Sequence, residues 1–216
     1  MKRCFLILLL LSLCIPAIAQ DTESEKPDDA FAIWTDYVVR KDIGKWHVGG
    51  FVEYCTIDRH DGKGMVNDEV IIRPIVGYNP CKWLRFQMQM DFLYSYTGGM
   101  YFRYLPDVTL HWKSGDFRFA LRNRLQLSHK LSTGHLSPVM RTRLKVDYQV
   151  PDLPVSIHAA AEPYWLTSIT KARYLAGADI QVHKYICLTA DYIRYDNYSP
   201  TSPNSNVVSL ALYVRI

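Results

Sequence analysis

The feature that most constrains the fold of this chain is a side-chain period of two. In residues 84–96 every even position is apolar, and every odd position except Leu93 is polar. Side chains alternate between the two faces of a β-strand, whereas a helix repeats about every 3.6 residues. The same alternation recurs, with one or two exceptions, in residues 117–128, 140–149 and 208–216. The sequence therefore predicts an all-β protein.

Alternation alone leaves the direction of the apolar face open, because a soluble carrier with an apolar cavity has the same pattern. Strand length favours an outward apolar face. The alternating segments run for roughly 10 to 13 residues, which is long for a soluble sheet and suits a tilted membrane crossing. We therefore predict an antiparallel up-and-down transmembrane β-barrel of about 10–12 strands.

Charged residues concentrate on the polar faces of these strands, which suits a polar lumen. The predicted lumen-lining residues are Arg73, Asp91, Arg103, Asp107, Arg122, Arg124, Arg141, Arg143, Glu162, Arg173 and Asp179. Such a set of arginines and acids is either a selectivity lining for an anionic solute or a plug of salt bridges that fills a narrow barrel. The sequence favours the plug.

Aromatic residues gather where the predicted strands end, and this indicates two girdles at the bilayer interfaces. One predicted girdle contains Trp46, Tyr78, Trp83, Trp112 and Tyr148, and the other contains Tyr94, Tyr96, Tyr101 and Trp165. The connections also fall into two classes, since short turns alternate with mostly longer loops. In outer-membrane barrels short turns face the periplasm and long loops face outside.

The number of strands is a difficulty for this interpretation. Counting from Phe31 gives about eleven segments, whereas single-chain bacterial barrels normally have an even number. A segment is therefore split or merged, the first strand lies outside the ladder, or the barrel closes with a parallel pair.

The N-terminus predicts export. Residues 1–19 place Lys2 and Arg3 before an apolar run and end in small residues, as a cleaved signal peptide does. The acidic stretch 20–29 is predicted to be a flexible leader, and residues 30–216 the barrel domain. We expect the mature protein to lie in the cell outer membrane. Acylation at Cys14 is an alternative that the bulky residue before it disfavours.

Composition excludes several classes of function. The net charge of +4 at pH 7 is too small to indicate a nucleic-acid partner, and signal cleavage would lower it further. Beyond the signal, Cys55, Cys81 and Cys187 are odd in number and form no CxxC pair. They predict neither a disulfide framework nor a metal site. No cofactor is expected.

The chain also resembles a known family of outer-membrane barrels, domain of unknown function family 2490. The segments that carry the resemblance are, in order, FAIWTDYVVRKDIGKWHVGGFVEY, RYLPDVTLHWKSGDFRFALRNRLQL, RTRLKVDYQV, AEPYWL and ARYLAGADI. Its hallmarks are Trp34, Glu162 before an aromatic residue, Arg173, and two pairs of arginines. One pair is Arg122 with Arg124, and the other is Arg141 with Arg143. The resemblance implies a membrane barrel and no established activity.

Three functional classes follow from the sequence. The first is a structural or binding barrel, or a small-solute channel. Its expected partners are outer-membrane lipid and, during biogenesis, the barrel-assembly machinery. The second is a lipid-modifying enzyme, for which Ser156, His158 and Glu162 share one strand face. The spacing of Ser156 and His158 is too long for a direct hydrogen bond, so an enzyme is disfavoured. The third is a soluble periplasmic carrier.

Overall fold

The computed structural model describes residues 27–59 and 62–216, and the predicted signal peptide lies outside them. In this part of the chain β-strands are the only regular elements. They are β1 (Ala30–Ile43), β2 (Trp46–Asp58), β3 (Val66–Cys81), β4 (Leu84–Ser95), β5 (Gly99–Ser114), β6 (Phe117–Lys130), β7 (His135–Gln149), β8 (Val155–Trp165), β9 (Ile169–His183), β10 (Ile186–Asn197) and β11 (Ser205–Arg215).

The eleven strands form one closed barrel in which each strand pairs with its neighbours in sequence. All of these pairs are antiparallel except the closing pair, in which β1 runs parallel to β11 from Ala30 opposite Ser205 to Arg40 opposite Arg215. An up-and-down meander of odd strand number returns its last strand in the direction of its first, so a parallel seam is unavoidable. The predicted all-β up-and-down barrel of about 10–12 strands is confirmed, and the odd strand count is explained by closure with a parallel pair, one of the alternatives considered above.

The connections sort to the two ends of the barrel. Residues 44–45, 82–83, 115–116, 150–154 and 184–185 form what we call the short-turn end. Residues 59, 62–65, 96–98, 131–134, 166–168 and 198–204 form the long-loop end. Gly44 and Gly115 have φ values of 61° and 60° at the first position of two-residue turns. Positive φ at that position suits the twist of a tight hairpin.

The outer face of the barrel is apolar, and the inner face is mostly polar apart from a buried apolar cluster of Ala32, Cys55, Ile193 and Val207. Ile72 and Leu210 on the outer face are 55% and 53% exposed, whereas Asp91, Arg124 and Glu162 on the inner face are 3% exposed or less. This arrangement inverts that of a soluble protein, so an apolar cavity of the kind a soluble carrier needs does not fit. No helix in residues 27–59 and 62–216 is long and apolar enough to cross a membrane.

At two glycines on the inner face, a side chain from one strand passes over the neighbouring strand and contacts the strand beyond it. His47 on β2 lies over Gly77 on β3 and bonds to Gln87 on β4 at 2.9 Å. In the same way, Asp191 on β10 lies over Gly177 on β9. Its Oδ1 is 2.7 Å from Nε2 of His158 on β8. A Cβ at either glycine would collide with the crossing side chain.

We expect Gly77→Ala to destabilise the barrel by about 1–3 kcal/mol, because the new methyl group overlaps the buried His47 ring. Urea unfolding in lipid vesicles measures the effect. Gly50→Ala is the matched control, since no heavy atom lies within 4 Å of its Cβ position. Equal free energies of unfolding for the two variants would show that the His47 side chain is not held over Gly77.

Candidate functional site in the barrel lumen

Every predicted lumen-lining residue lies on the inner face, and most of them join ion pairs there. These inner-face charges form three groups along the wall: a hub at Glu162, a chain from Arg73 to Arg124, and a cluster around His158. Each group draws on adjacent strands, because every second side chain of a strand points inward.

Glu162 on β8 is the hub of the first group. Its carboxylate accepts a hydrogen bond from Arg122 on β6 at 2.6 Å and a bidentate pair from Arg141 on β7, both bonds at 3.2 Å. Arg173 on β9 also pairs with it. The Arg141 guanidinium carbon lies 4.5 Å from the ring centre of the buried Tyr164. A bidentate guanidinium and two further ones hold this carboxylate rigidly in place.

The second group continues around the wall. Arg73 on β3 pairs with Asp91 on β4, and Arg103 on β5 approaches the same carboxylate at 3.9 Å. Arg124 on β6 donates two bonds to Asp107 on β5, at 2.7 and 3.2 Å. Asp91 and Asp107 are both buried, so their negative charges are compensated by these arginines rather than by water.

The ion pairs run around the lumen and do not cross it. Within residues 27–59 and 62–216, each ion pair joins groups on the same strand, on neighbouring strands, or on strands separated by one other. The widest ion pairs span one intervening strand, as Arg122 on β6 does when it pairs across β7 with Glu162 on β8. The charged network is therefore a lining of the wall.

A cavity of about 290 Å³ opens from the lumen near the short-turn end, against the inner faces of β4 to β7. Its cationic lining is Arg85, Arg118, Arg122, Arg143 and Lys145, and its acidic lining is Asp107 and Asp147. Both acids are already paired, with Arg124 and Lys145 respectively. In the described part of the chain, Arg85, Arg118 and Arg143 form no ion pair with a carboxylate, so the cavity carries excess positive charge.

The aromatic residues predicted as girdles lie on the outer surface with one exception. The prediction is wrong for Tyr101, which has the inward parity of Arg103 on β5 and lies under Lys130. Trp46, Tyr78, Trp83, Trp112 and Tyr148 are at the short-turn end, and Tyr94, Tyr96 and Trp165 are at the long-loop end. At the short-turn end they interlock with neighbouring rings, such as Trp46 with Tyr78 at 4.8 Å and Trp112 stacked on Phe119 at 5.2 Å. Such bands place amphipathic rings at two levels of the barrel.

The three side chains considered for a hydrolase do not assemble into one. The Ser156 hydroxyl lies 3.4 Å from Asp179 and bonds to that carboxylate. His158 lies between Asp179 and Asp191, and Glu162 is occupied by arginines. A Ser–His–acid triad needs the imidazole on the serine hydroxyl, and here His158 contacts Asp179 and Asp191 instead.

Sequence reasoning did not select Arg85 and Asp191 as lumen residues. Alternation along the strand predicts both as inward-facing. Arg85 is an even number of residues from the inward Asp91 on β4, and Asp191 is two residues from the buried Thr189 on β10.

Comparisons with known proteins bear on the fold. No protein-family model matches the chain, and no curated protein matches its sequence. Among solved structures, one described as the NanC porin in a rhombohedral crystal form is similar, with a TM-score of 0.56. The match covers 86% of this chain and 99% of that chain at 15% identity. At that identity the likeness shows a shared barrel fold.

Proposed function

We propose that this chain is an outer-membrane β-barrel whose lumen passes small anionic solutes. The observation that carries the proposal is the cavity lined by Arg85, Arg118 and Arg143, which form no ion pair within the described part of the chain. The predicted signal peptide in residues 1–19, contact with outer-membrane lipid, and insertion by the barrel-assembly machinery belong to the same proposal. So does membership of domain of unknown function family 2490.

The outer surface supports placement in a membrane. An apolar band of exposed side chains, flanked by aromatic rings at the two ends of the strands, is the surface that a lipid bilayer requires. The likeness to a solved porin supports the same location, since that protein shares the barrel architecture. In this setting the short-turn end faces the periplasm and the long-loop end faces outside.

The layout of the charges supports passage more than a plug. A plug of salt bridges would join opposite walls, whereas the ion pairs follow the wall. Barrels of about eight strands are filled by their own side chains, and those of about sixteen carry a water-filled channel. A barrel of eleven strands lies between these limits, which suits a narrow passage that is lined by charges.

Charge separation across the lumen favours anions at one wall. The buried carboxylates Asp36 and Glu53 lie opposite each other on β1 and β2, whereas the unpaired guanidinium groups are on β4 to β7. A low-dielectric wall concentrates the field of such groups in the lumen. A carboxylate- or phosphate-bearing solute would bind Arg143 and its neighbours, because guanidinium groups match those anions in geometry.

The test is a recording of ion currents through the purified barrel in a planar bilayer under a salt gradient. We expect preference for anions, and we expect Arg143→Gln to lower the anion-to-cation permeability ratio by about twofold or more, because one lumen charge is lost. Arg59→Gln is the matched control, since Arg59 lies outside the lumen in the β2–β3 connection, where it pairs with Asp68. Cation preference in the wild type, or an equal effect of both substitutions, would overturn the proposal.

A further inference from the structure

A cluster of titratable side chains outside the arginine network meets on the inner face of β7, β8 and β9. Asp147, His158 and Asp179 each present one potential ligand atom, and these atoms lie within 4.8 Å of one another. Asp147 and His158 face each other across β7 and β8, and Asp179 faces Ser156 across β8 and β9. Neighbouring strands in register therefore bring all three groups to one level of the lumen.

His158 is oriented as a ligand would be. Its Nε2 is 2.7 Å from Oδ1 of Asp191, which reaches it over Gly177. With one ring hydrogen donated there, Nδ1 is the nitrogen at which a metal ion could take the place of the second ring proton. His158 is 7% exposed, and its buried Nδ1 has no hydrogen-bond partner. That atom points at the cluster, 3.3 Å from Oδ2 of Asp179.

The carboxylate of Asp179 is held in position by other groups. Thr189 donates to its Oδ1 at 2.5 Å, and Ser156 donates to its Oδ2 at 3.4 Å. A histidine whose second nitrogen donates to a carboxylate, beside further hydrogen-bonded carboxylates, is the usual surrounding of a protein-bound metal ion.

The charges of the cluster favour a divalent cation. Asp147, Asp179 and Asp191 contribute three negative charges, and Lys145, 2.9 Å from Asp147, compensates one of them. With a neutral imidazole, two negative charges remain. The side chains of Asp147 and Asp179 are 14% and 24% exposed, so an ion can reach them from the lumen and keep bound water.

We propose that Asp147, His158 and Asp179 bind a divalent transition-metal ion such as Zn²⁺, with Asp191 as the residue that positions His158. One imidazole nitrogen and two carboxylate oxygens suit such an ion. In the structure the three ligand atoms lie within 4.8 Å of one another, so binding requires the Asp147 carboxylate to move from Lys145 toward the ion. Asp147 and Lys145 also line the arginine cavity, but the two proposals can fail separately, because one is tested by Zn²⁺ binding and the other by ion currents.

The experiment is a calorimetric titration of the folded, tag-free barrel in detergent with Zn²⁺, after treatment with a chelator. We expect one ion per barrel. Asp147→Asn should weaken binding at least about tenfold, and Asp191→Asn by about 10–100-fold, because the second shell fixes the imidazole orientation. His129→Ala, at the far end of β6, is the control for non-specific histidine binding and should leave the titration unchanged.

A second measurement protects the test against variants that fold poorly. The gel shift that distinguishes folded from unfolded barrel should move to higher temperature with Zn²⁺ in the wild type, since a ligand that binds only the folded state stabilises it. Asp147→Asn should show no such shift. Absence of Zn²⁺ binding by the folded wild type would overturn the proposal, as would unchanged binding in Asp147→Asn and Asp191→Asn. His158 would then be only a clamp between two aspartates.

Discussion

Replacing Glu162 by glutamine is expected to destabilise the barrel by about 3–5 kcal/mol, because breaking a buried ion pair leaves uncompensated charge behind. Arg122, Arg141 and Arg173 all direct guanidinium groups at this carboxylate, which is 1% exposed. Without its negative charge the three cations repel one another in a region of low dielectric. The measurement is urea unfolding of the barrel in lipid vesicles, followed by tryptophan fluorescence.

Asp42→Asn is the matched control. Asp42 also meets two arginines, Arg40 at 2.9 Å and Arg215 at 2.5 Å, but it lies at the end of β1 and Arg215 is 68% exposed. Pairs of that kind contribute about 1 kcal/mol or less. If both substitutions cost the same small amount, water screens the Glu162 hub and the lumen is more open than its burial implies.

Replacing Met88 by arginine should prevent or strongly weaken membrane insertion. Met88 is an exposed apolar residue on the outer face of β4, between Trp83 at the short-turn end and Tyr94 at the long-loop end. Arginine on the lipid face near the bilayer midplane costs about 2–4 kcal/mol. The measurement is the fraction of protein that folds into vesicles, read from the heat-dependent shift on a gel.

Met65→Arg is the control for that experiment, since Met65 is similarly exposed, at 43% against 37%, and lies in the connection between β2 and β3. It should insert as the wild type does. A barrel that folds equally well with arginine at either position has no lipid against its outer face. In that case the apolar band covers another protein surface.

The two substitutions examine the two faces of the same wall. If Met88→Arg loses membrane insertion while Glu162→Gln keeps nearly the wild-type free energy of unfolding, the protein is a membrane barrel with a hydrated lumen. We expect Met88→Arg to lose insertion and Glu162→Gln to lose stability. That result would indicate that lipid outside and ion pairs inside stabilise the barrel together.

The sequence by itself determined the properties that are local to a strand. Alternation assigned residues to the two faces, so each predicted lumen residue, from Arg73 to Asp179, lies on the inner face. The position of an aromatic residue relative to its turn also placed Trp46 and Trp83 at one end and Tyr94 at the other. These outcomes need only the period of two and the chain direction, and both are written in the sequence.

The tertiary structure alone decided which inner-face groups meet. Arg122 and Glu162 are 40 residues apart in sequence, and their contact depends on the register of two strand pairs, β6 with β7 and β7 with β8. The contact between His158 and Asp191 depends in addition on the missing side chain at Gly177. The parallel seam likewise follows from closure of the whole ladder. Period-two alternation fixes a side chain's face but not its height in the barrel, and height, set by register and strand tilt, selects its partners.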